Sequence, residues 1–278
     1  MGKCGEGCLY RPGMVWGMLR GHPANPPPAP TGNERSNPIE PLHEWVVEPA
    51  EAVALQRELA SRIVREDRIE EPVRFIAGVD MAINEESGMA RAAVVLLSFP
   101  ELEIVERHVY EEPVRMPYIP GLLSFRELPC ILGAFKQLKQ EPQLVMVDGQ
   151  GIAHPRRLGI ASHLGLWLDL PTIGCAKSIL RGHYDKDALG EEAGSWVPLV
   201  EGRKGEVLGA ALRTRTRVNP MFISLGHRIS LETSIRYVMA CCKGYRLPEP
   251  TRLADKLSKD NAWQEPKEVE VEQETLWE

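Results

Sequence analysis

The sequence contains no apolar run approaching the roughly 20 residues that cross a bilayer as a helix, so a helical membrane protein is not expected. The apolar stretch near its beginning, Met14 to Leu19, is short and no small-residue cleavage site follows it. No signal peptide is expected, and the protein is placed in the cytoplasm. Cysteine is sparse. Cys4, Cys8, Cys130, Cys175, Cys241 and Cys242 show neither paired zinc spacing nor the density of a disulfide scaffold, so reduced thiols are expected. No internal repeat is apparent. An excess of positive charge is also missing: the formal net charge is −6, which at first sight argues against a nucleic-acid partner.

The distribution of charge reverses that inference. Trp263 to Glu278 holds six Glu against one Lys, while the first 44 residues are balanced, so the intervening core is close to neutral. Within it, Arg203 to Arg228 gathers six basic residues against the single Glu206. A near-neutral core with a local basic face can hold a polyanion, with an affinity that falls steeply with salt. A merely solvated face is the alternative that composition leaves open.

At 278 residues, with an ordinary apolar fraction of 43%, the chain accommodates one domain and two tails. Residues 1–44, with the run NPPPAPTGN, read as a disordered Gly/Pro-rich leader in which Met14 and Met18 are alternative starts. Residues 259–278 read as an acidic disordered tail, leaving the domain over 45–258. Ala52, Leu55, Leu59 and Ile63 recur at helical spacing and predict a helix over 48–64. Three strands, 74–83, 91–99 and 101–112, are separated by short turns and should pair as an antiparallel meander. Next comes a helix from about Phe125, capped by Ser124 with Glu127 at the capping-box position. A buried strand over 144–147, a helix over 158–169 and a short strand around Thr172 and Ile173 follow. Residues 182–205 read as a polar loop and 206–216 as a strand. A turn with His227 and Arg228 then leads to a helix over 231–242 that Gly244 stops. The order indicates an α/β fold, a mixed sheet of antiparallel meander plus parallel strands flanked by helices.

Chemistry concentrates in 142–180. The strand over Leu144 to Val147 delivers Asp148 onto the turn DGQG, where Gly149 and Gly151 permit close backbone approach. His154, Arg156 and Arg157 follow and suit a phosphate-rich partner. A lone Asp-Gly is more often a capped turn. Asp, two Gly, His and two Arg within ten residues point instead to a site. Asp80, inside the first strand, is either an outward-facing polar residue or a metal ligand on a rigid element. Tyr118 sits in a loop stiffened by Pro117 and Pro120 and closed by Gly121, just upstream of Glu127.

Taken together, AGVD (77–80), MPYIPGLLSFRE (116–127), VDGQGIAHPRRLGIASHLGL (147–166), PTIGCAKSIL (171–180), NPMFISLGHRIS (219–230) and KGYRLPEPTR (243–252) resemble the endonuclease V family. These are deoxyinosine-directed repair nucleases of the ribonuclease-H-like superfamily, and the resemblance spans about 50–255. It implies that Asp80, Glu127 and Asp148 converge as ligands of Mg²⁺, for which Mn²⁺ can substitute. It places His227 at the metal site, Lys177 on the scissile phosphate and His154 beside it. It implies a pocket for the extruded base walled by Gly121, Leu123, Gly149, Gly151, Gly159 and Ile160, with Tyr118 as the wedge that fills the gap in the duplex. Many relatives carry His where this chain has Gln150, which removes a proton-transfer role at that position. The implied activity is a nick at the second phosphodiester bond 3′ to deoxyinosine, in double- or single-stranded DNA, by a monomer. An endoribonuclease acting at inosine in RNA and a non-cutting inosine-binding module are the alternatives.

Overall fold

The computed structural model describes residues 39–45, 48–202 and 205–260; the rest of the expected leader and acidic tail, with Cys4 and Cys8, lies outside these. The expected meander is present as β1 (Phe75–Asn84), β2 (Met89–Ser98) and β3 (Ile104–Pro113), paired antiparallel. Asn84 Oδ1 accepts from the amides of Glu86 and Ser87, and Gly88, at φ +68°, closes the first turn. β4 (Leu144–Val147) and β5 (Thr172–Ala176) run parallel to β1 and to each other. All four residues of β4 are buried, so both of its faces are covered and it reads as an unbroken apolar run.

β6 (Trp196–Val200), β7 (Val207–Leu212) and β8 (Met221–His227) complete one eight-stranded sheet in the order β3-β2-β1-β4-β5-β8-β7-β6. Two of these strands correct the sequence reading. Residues 182–205, expected as loop, contain β6, whose alternation of exposed and buried residues spans only five positions. The segment expected as a turn before His227 is β8, buried at all seven positions, so it shows no period-two signal.

The helices are α1 (Pro49–Ala60), α2 (Leu123–Phe135), α3 (Ile160–Leu168), α4 (Leu231–Ala240) and α5 (Glu249–Ser258). One face of the sheet packs on α2 and α3 through Leu128, Phe135, Leu164 and Trp167. The other packs on α4 and α5 through Ile235, Val238, Ala254 and Leu257. α2 begins at Leu123, two residues before the expected start, on an uncapped Leu122. Ser124 therefore lies inside the first turn, and its Oγ meets His163 Nδ1 at 3.0 Å. That removes the capping-box explanation of Glu127. The last residues of the expected leader pack on the α2/α3 side through Ile39 and Leu42, next to Trp45, which stacks on Trp167 at 4.8 Å. Among the described residues no helix is long and apolar enough to cross a membrane.

Candidate active site

Strand register creates the centre of the site. Val79 lies beside Val147 in the parallel β1–β4 pair, so the next residue of each strand is an aspartate at the same level, Asp80 and Asp148. Alternation sends Ala77, Val79, Val145 and Val147 into the α2/α3 core, and Ile76, Leu144 and Met146 to the α4/α5 side. Both aspartates therefore face α5. That helix can approach because β1 carries Gly78: a Cβ there would lie 2.0 Å from the Pro250 carbonyl oxygen.

The approach of α5 brings two further groups. One oxygen each of Asp80, Asp148 and Asp255 lies within 4.8 Å of the others. Ser258 Oγ donates to Asp80 Oδ2 at 2.7 Å. Lys177, one residue past β5, sits 2.5 Å from Asp148 Oδ2 and 2.7 Å from Asp255 Oδ1. Glu127 comes from α2 on the other face and lines the same cleft of about 290 Å³ without joining the trio. The expected carboxylates thus meet in one cleft, and Asp255 adds to them. A signal for it exists in the sequence: Thr251, Ala254 and Ser258, at helical spacing around Asp255, are all buried, so Asp255 lies on the inward side of α5.

Burial above all, with Asp148 and Asp255 adding to it and the Ser258 bond opposing, pushes the Asp80 carboxyl up to about 6. Burial again leads for Glu127, reinforced by Asp80 and Asp148 against Arg126, and raises it to about 8. Burial would lower Lys177, but its bonds to Asp148 and Asp255 outweigh that and raise it. Such a cluster draws in positive charge. The Lys177 ammonium already bridges two of its carboxylates, and every donor is a hard oxygen, so the residues fit a divalent cation of the magnesium type.

A second hollow, of about 350 Å³, shares Asp148, Lys177, Leu123 and Ile160 with the first. Gly121, Gly149, His154, Gly159 and Tyr118 also line it, as expected, and Tyr118 is 63% exposed at the rim. Gly151 departs from expectation. Its amide donates to Ser224 Oγ at 2.7 Å, and a Cβ would lie 2.0 Å from the Leu225 carbonyl oxygen, so it seats the turn on β8 and lines no wall. Gln150 Nε2 donates to the Ser178 carbonyl at 2.8 Å, tying the DGQG turn to the segment after β5. His154 Nδ1 accepts from the Arg156 amide at 3.2 Å, which leaves the ring proton on Nε2. Burial, then Arg156, pushes this imidazole down to about 4, so it is neutral at ordinary pH.

His227 is not with the carboxylates. It pairs with Thr172, the first residue of β5, whereas Val147, immediately before Asp148, pairs with Gly174. The strands therefore carry it toward the other end of the sheet, with several residues at about 3.3 Å each between the two levels. Its Nδ1 accepts from the Val64 amide at 3.2 Å, and its Nε2 lies 3.6 Å from Asp169 Oδ1. Among the described residues of the basic stretch 203–228, three arginines are engaged within the protein. Arg217 pairs with Glu191, Arg228 with Asp169, and Arg213 donates to the Gly190 carbonyl.

An aspartate within β1 and another just past the adjacent parallel β4, joined by a carboxylate from α5, mark a metal-dependent nuclease of the ribonuclease-H-like class. The chain belongs, more particularly, to the endonuclease V family, whose family model it matches over residues 57–256. The endonuclease V of Gloeobacter violaceus is 54% identical over 219 residues, 78% of this chain and 87% of that protein. The crystal structure of endonuclease V from Streptomyces avermitilis is similar with a TM-score of 0.72 at 40% identity, covering 77% of this chain and 92% of that one. The Ciona intestinalis endonuclease V, in complex with a 24mer DNA containing an inosine followed by a ribo-adenosine, is similar with a TM-score of 0.66 at 32% identity, covering 75% and 95%. The protein is accordingly an endonuclease that hydrolyses phosphodiester bonds.

Proposed function

We propose that the protein recognises deoxyinosine, the deamination product of deoxyadenosine, and hydrolyses the second phosphodiester bond 3′ to it, leaving 3′-hydroxyl and 5′-phosphate ends. The observation that carries this reading is that the carboxylate cleft and the glycine-walled pocket share Asp148 and Lys177. A base held in the pocket keeps its strand next to the carboxylates. Magnesium, when bound, supplies Lewis-acid charge against the phosphate oxygens and acidifies water. Asp80, Asp148 and Asp255 would hold it, with Glu127 across the cleft, and manganese would suit the same oxygens.

The chain's own groups do the rest. The Lys177 ammonium stabilises charge developing on the scissile phosphate. Neutral His154 steadies the Gly121 wall of the pocket through the hydrogen bond its ring donates to the Gly121 backbone. The pocket reads the purine edge: hypoxanthine carries an oxo group at C6 and a proton on N1, and adenine's groups would be left unpaired there, which is costly. Tyr118 fills the gap that the extruded base leaves in the duplex. The substrate is double- or single-stranded DNA, and the protein acts as a monomer.

The test is a duplex labelled at both ends with one deoxyinosine, incubated with and without magnesium beside an adenine control. A single magnesium-dependent nick one nucleotide beyond the bond adjoining the lesion, with the glycosidic bond intact, is expected. Equal cutting of the control, or no cutting at all, would overturn the reading. The Ciona relative's DNA carries a ribo-adenosine after the inosine, which favours one second reading, an endoribonuclease acting at inosine in RNA. Rates on matched DNA and RNA strands decide between them.

A further inference from the structure

Lys259 lies beyond the family match, which ends at residue 256, and no motif draws attention to it. It follows α5 as its C-cap residue and lines the carboxylate cleft, with its side chain 59% exposed. Its Nζ donates to Asp255 Oδ1 at 2.7 Å, the same oxygen that receives Lys177 Nζ at 2.7 Å. Lys177 also reaches Asp148, so it is shared between two carboxylates and is the less exposed of the two lysines. Lys259 has only its part in one.

The ordinary explanation of Lys259 is an i,i+4 pair with Asp255 that closes the helix end, and such exposed pairs are weak. That pair does not account for a second ammonium on an oxygen that Lys177 already serves. Nor does it persist easily: an Asp255 oxygen that helps to hold a divalent cation has less left for two ammoniums. Lys259 is the one on a free, solvent-facing stem.

We propose that Lys259 is a substrate-binding residue whose ammonium contacts a backbone phosphate of the strand crossing the cleft. The assignment rests on the reading of this cleft as the seat of phosphodiester hydrolysis. A phosphate contact has a signature that a helix-closing pair lacks. Each contact releases condensed counterions, so it adds about 0.9 to the slope of log affinity against log salt on duplex DNA.

The experiment is single-turnover nicking of a deoxyinosine duplex by the full-length protein at fixed magnesium, over 50–200 mM NaCl. The half-saturating enzyme concentration and the maximal rate are read separately. Lys259→Gln is expected to raise the half-saturating concentration, to leave the maximal rate unchanged and to lower the salt slope by about 0.9. Its deficit against wild type then shrinks about 3.5-fold across that fourfold range of salt. Lys259→Arg should restore the slope. Lys256→Gln, which removes the same charge from an exposed position of α5 outside the cleft, should match wild type. An unchanged slope in Lys259→Gln overturns the proposal, and so does an equal loss in Lys256→Gln, which would mark a diffuse field. A wild-type protein that does not nick the duplex overturns both this assignment and the reading beneath it.

Discussion

Replacing Ser258 with Ala tests how the proposed metal ligands are held. The hydroxyl donates to Asp80 Oδ2 at 2.7 Å, and Ser258 is 1% exposed, so water does not readily replace it. The Asp80 carboxyl is pushed up chiefly by burial and is held down by this bond, so losing the bond raises it further and weakens its charged form. A hydrogen bond to a charged group contributes about 1.5–3 kcal/mol. Magnesium affinity should therefore fall about 10- to 100-fold, the range expected when a partner that orients a metal ligand is removed. Calorimetric titration of the DNA-free protein with Mg²⁺ measures it directly. The magnesium concentration for half-maximal nicking should shift by the same factor, with the rate at saturating metal little changed. Unchanged affinity in a folded Ser258→Ala protein would refute the reasoning, as would a lost rate that excess magnesium does not restore.

Tyr118→Ala should slow nicking of inosine in duplex DNA much more than in single strands, because only the duplex has a gap to fill. Single-turnover rates on matched substrates check this, and equal losses on both would rule out a wedge. The raised carboxyls of Asp80 and Glu127 also predict the pH dependence of stability. Between their unfolded values near 4 and their folded values of about 6 and 8, the metal-free folded state binds more protons than the unfolded state. Stability without metal should therefore fall as pH rises through that window, by on the order of a few kcal/mol in total. Thermal melts should show the decline, a larger gain from magnesium at pH 8 than at pH 6, and a flatter profile for Glu127→Gln. A Glu127→Gln profile as steep as that of wild type would contradict it.

The parts of this molecule legible in its sequence are those where one physical signal dominates. The meander has strand-forming runs broken by short turns, and β4 is an apolar run followed by Asp148, so both stand out. The Tyr118 loop is announced by its prolines and Gly121. What escapes is what depends on distant partners. β8 is buried on both faces because it lies deep in the sheet, and only the register shows that it carries His227 away from Asp148. α5 writes its inward face partly in Thr251 and Ser258, and its helical period does not say what that face meets. Its role depends on Gly78, 177 positions before Asp255, leaving room for Pro250. Gly151 illustrates the converse: a glycine in the right motif faces Leu225, behind the wall it was expected to form.

Asp148 lines both the carboxylate cleft and the glycine-walled hollow beside it, so it offers the most direct test of the whole account. Wild type and Asp148→Ala, both checked for folding by circular dichroism, should be compared on one deoxyinosine duplex in saturating magnesium, with binding followed in parallel. The account predicts that Asp148→Ala loses nicking by several orders of magnitude while inosine-DNA binding remains measurable. Nicking by Asp148→Ala at close to the wild-type rate would contradict it.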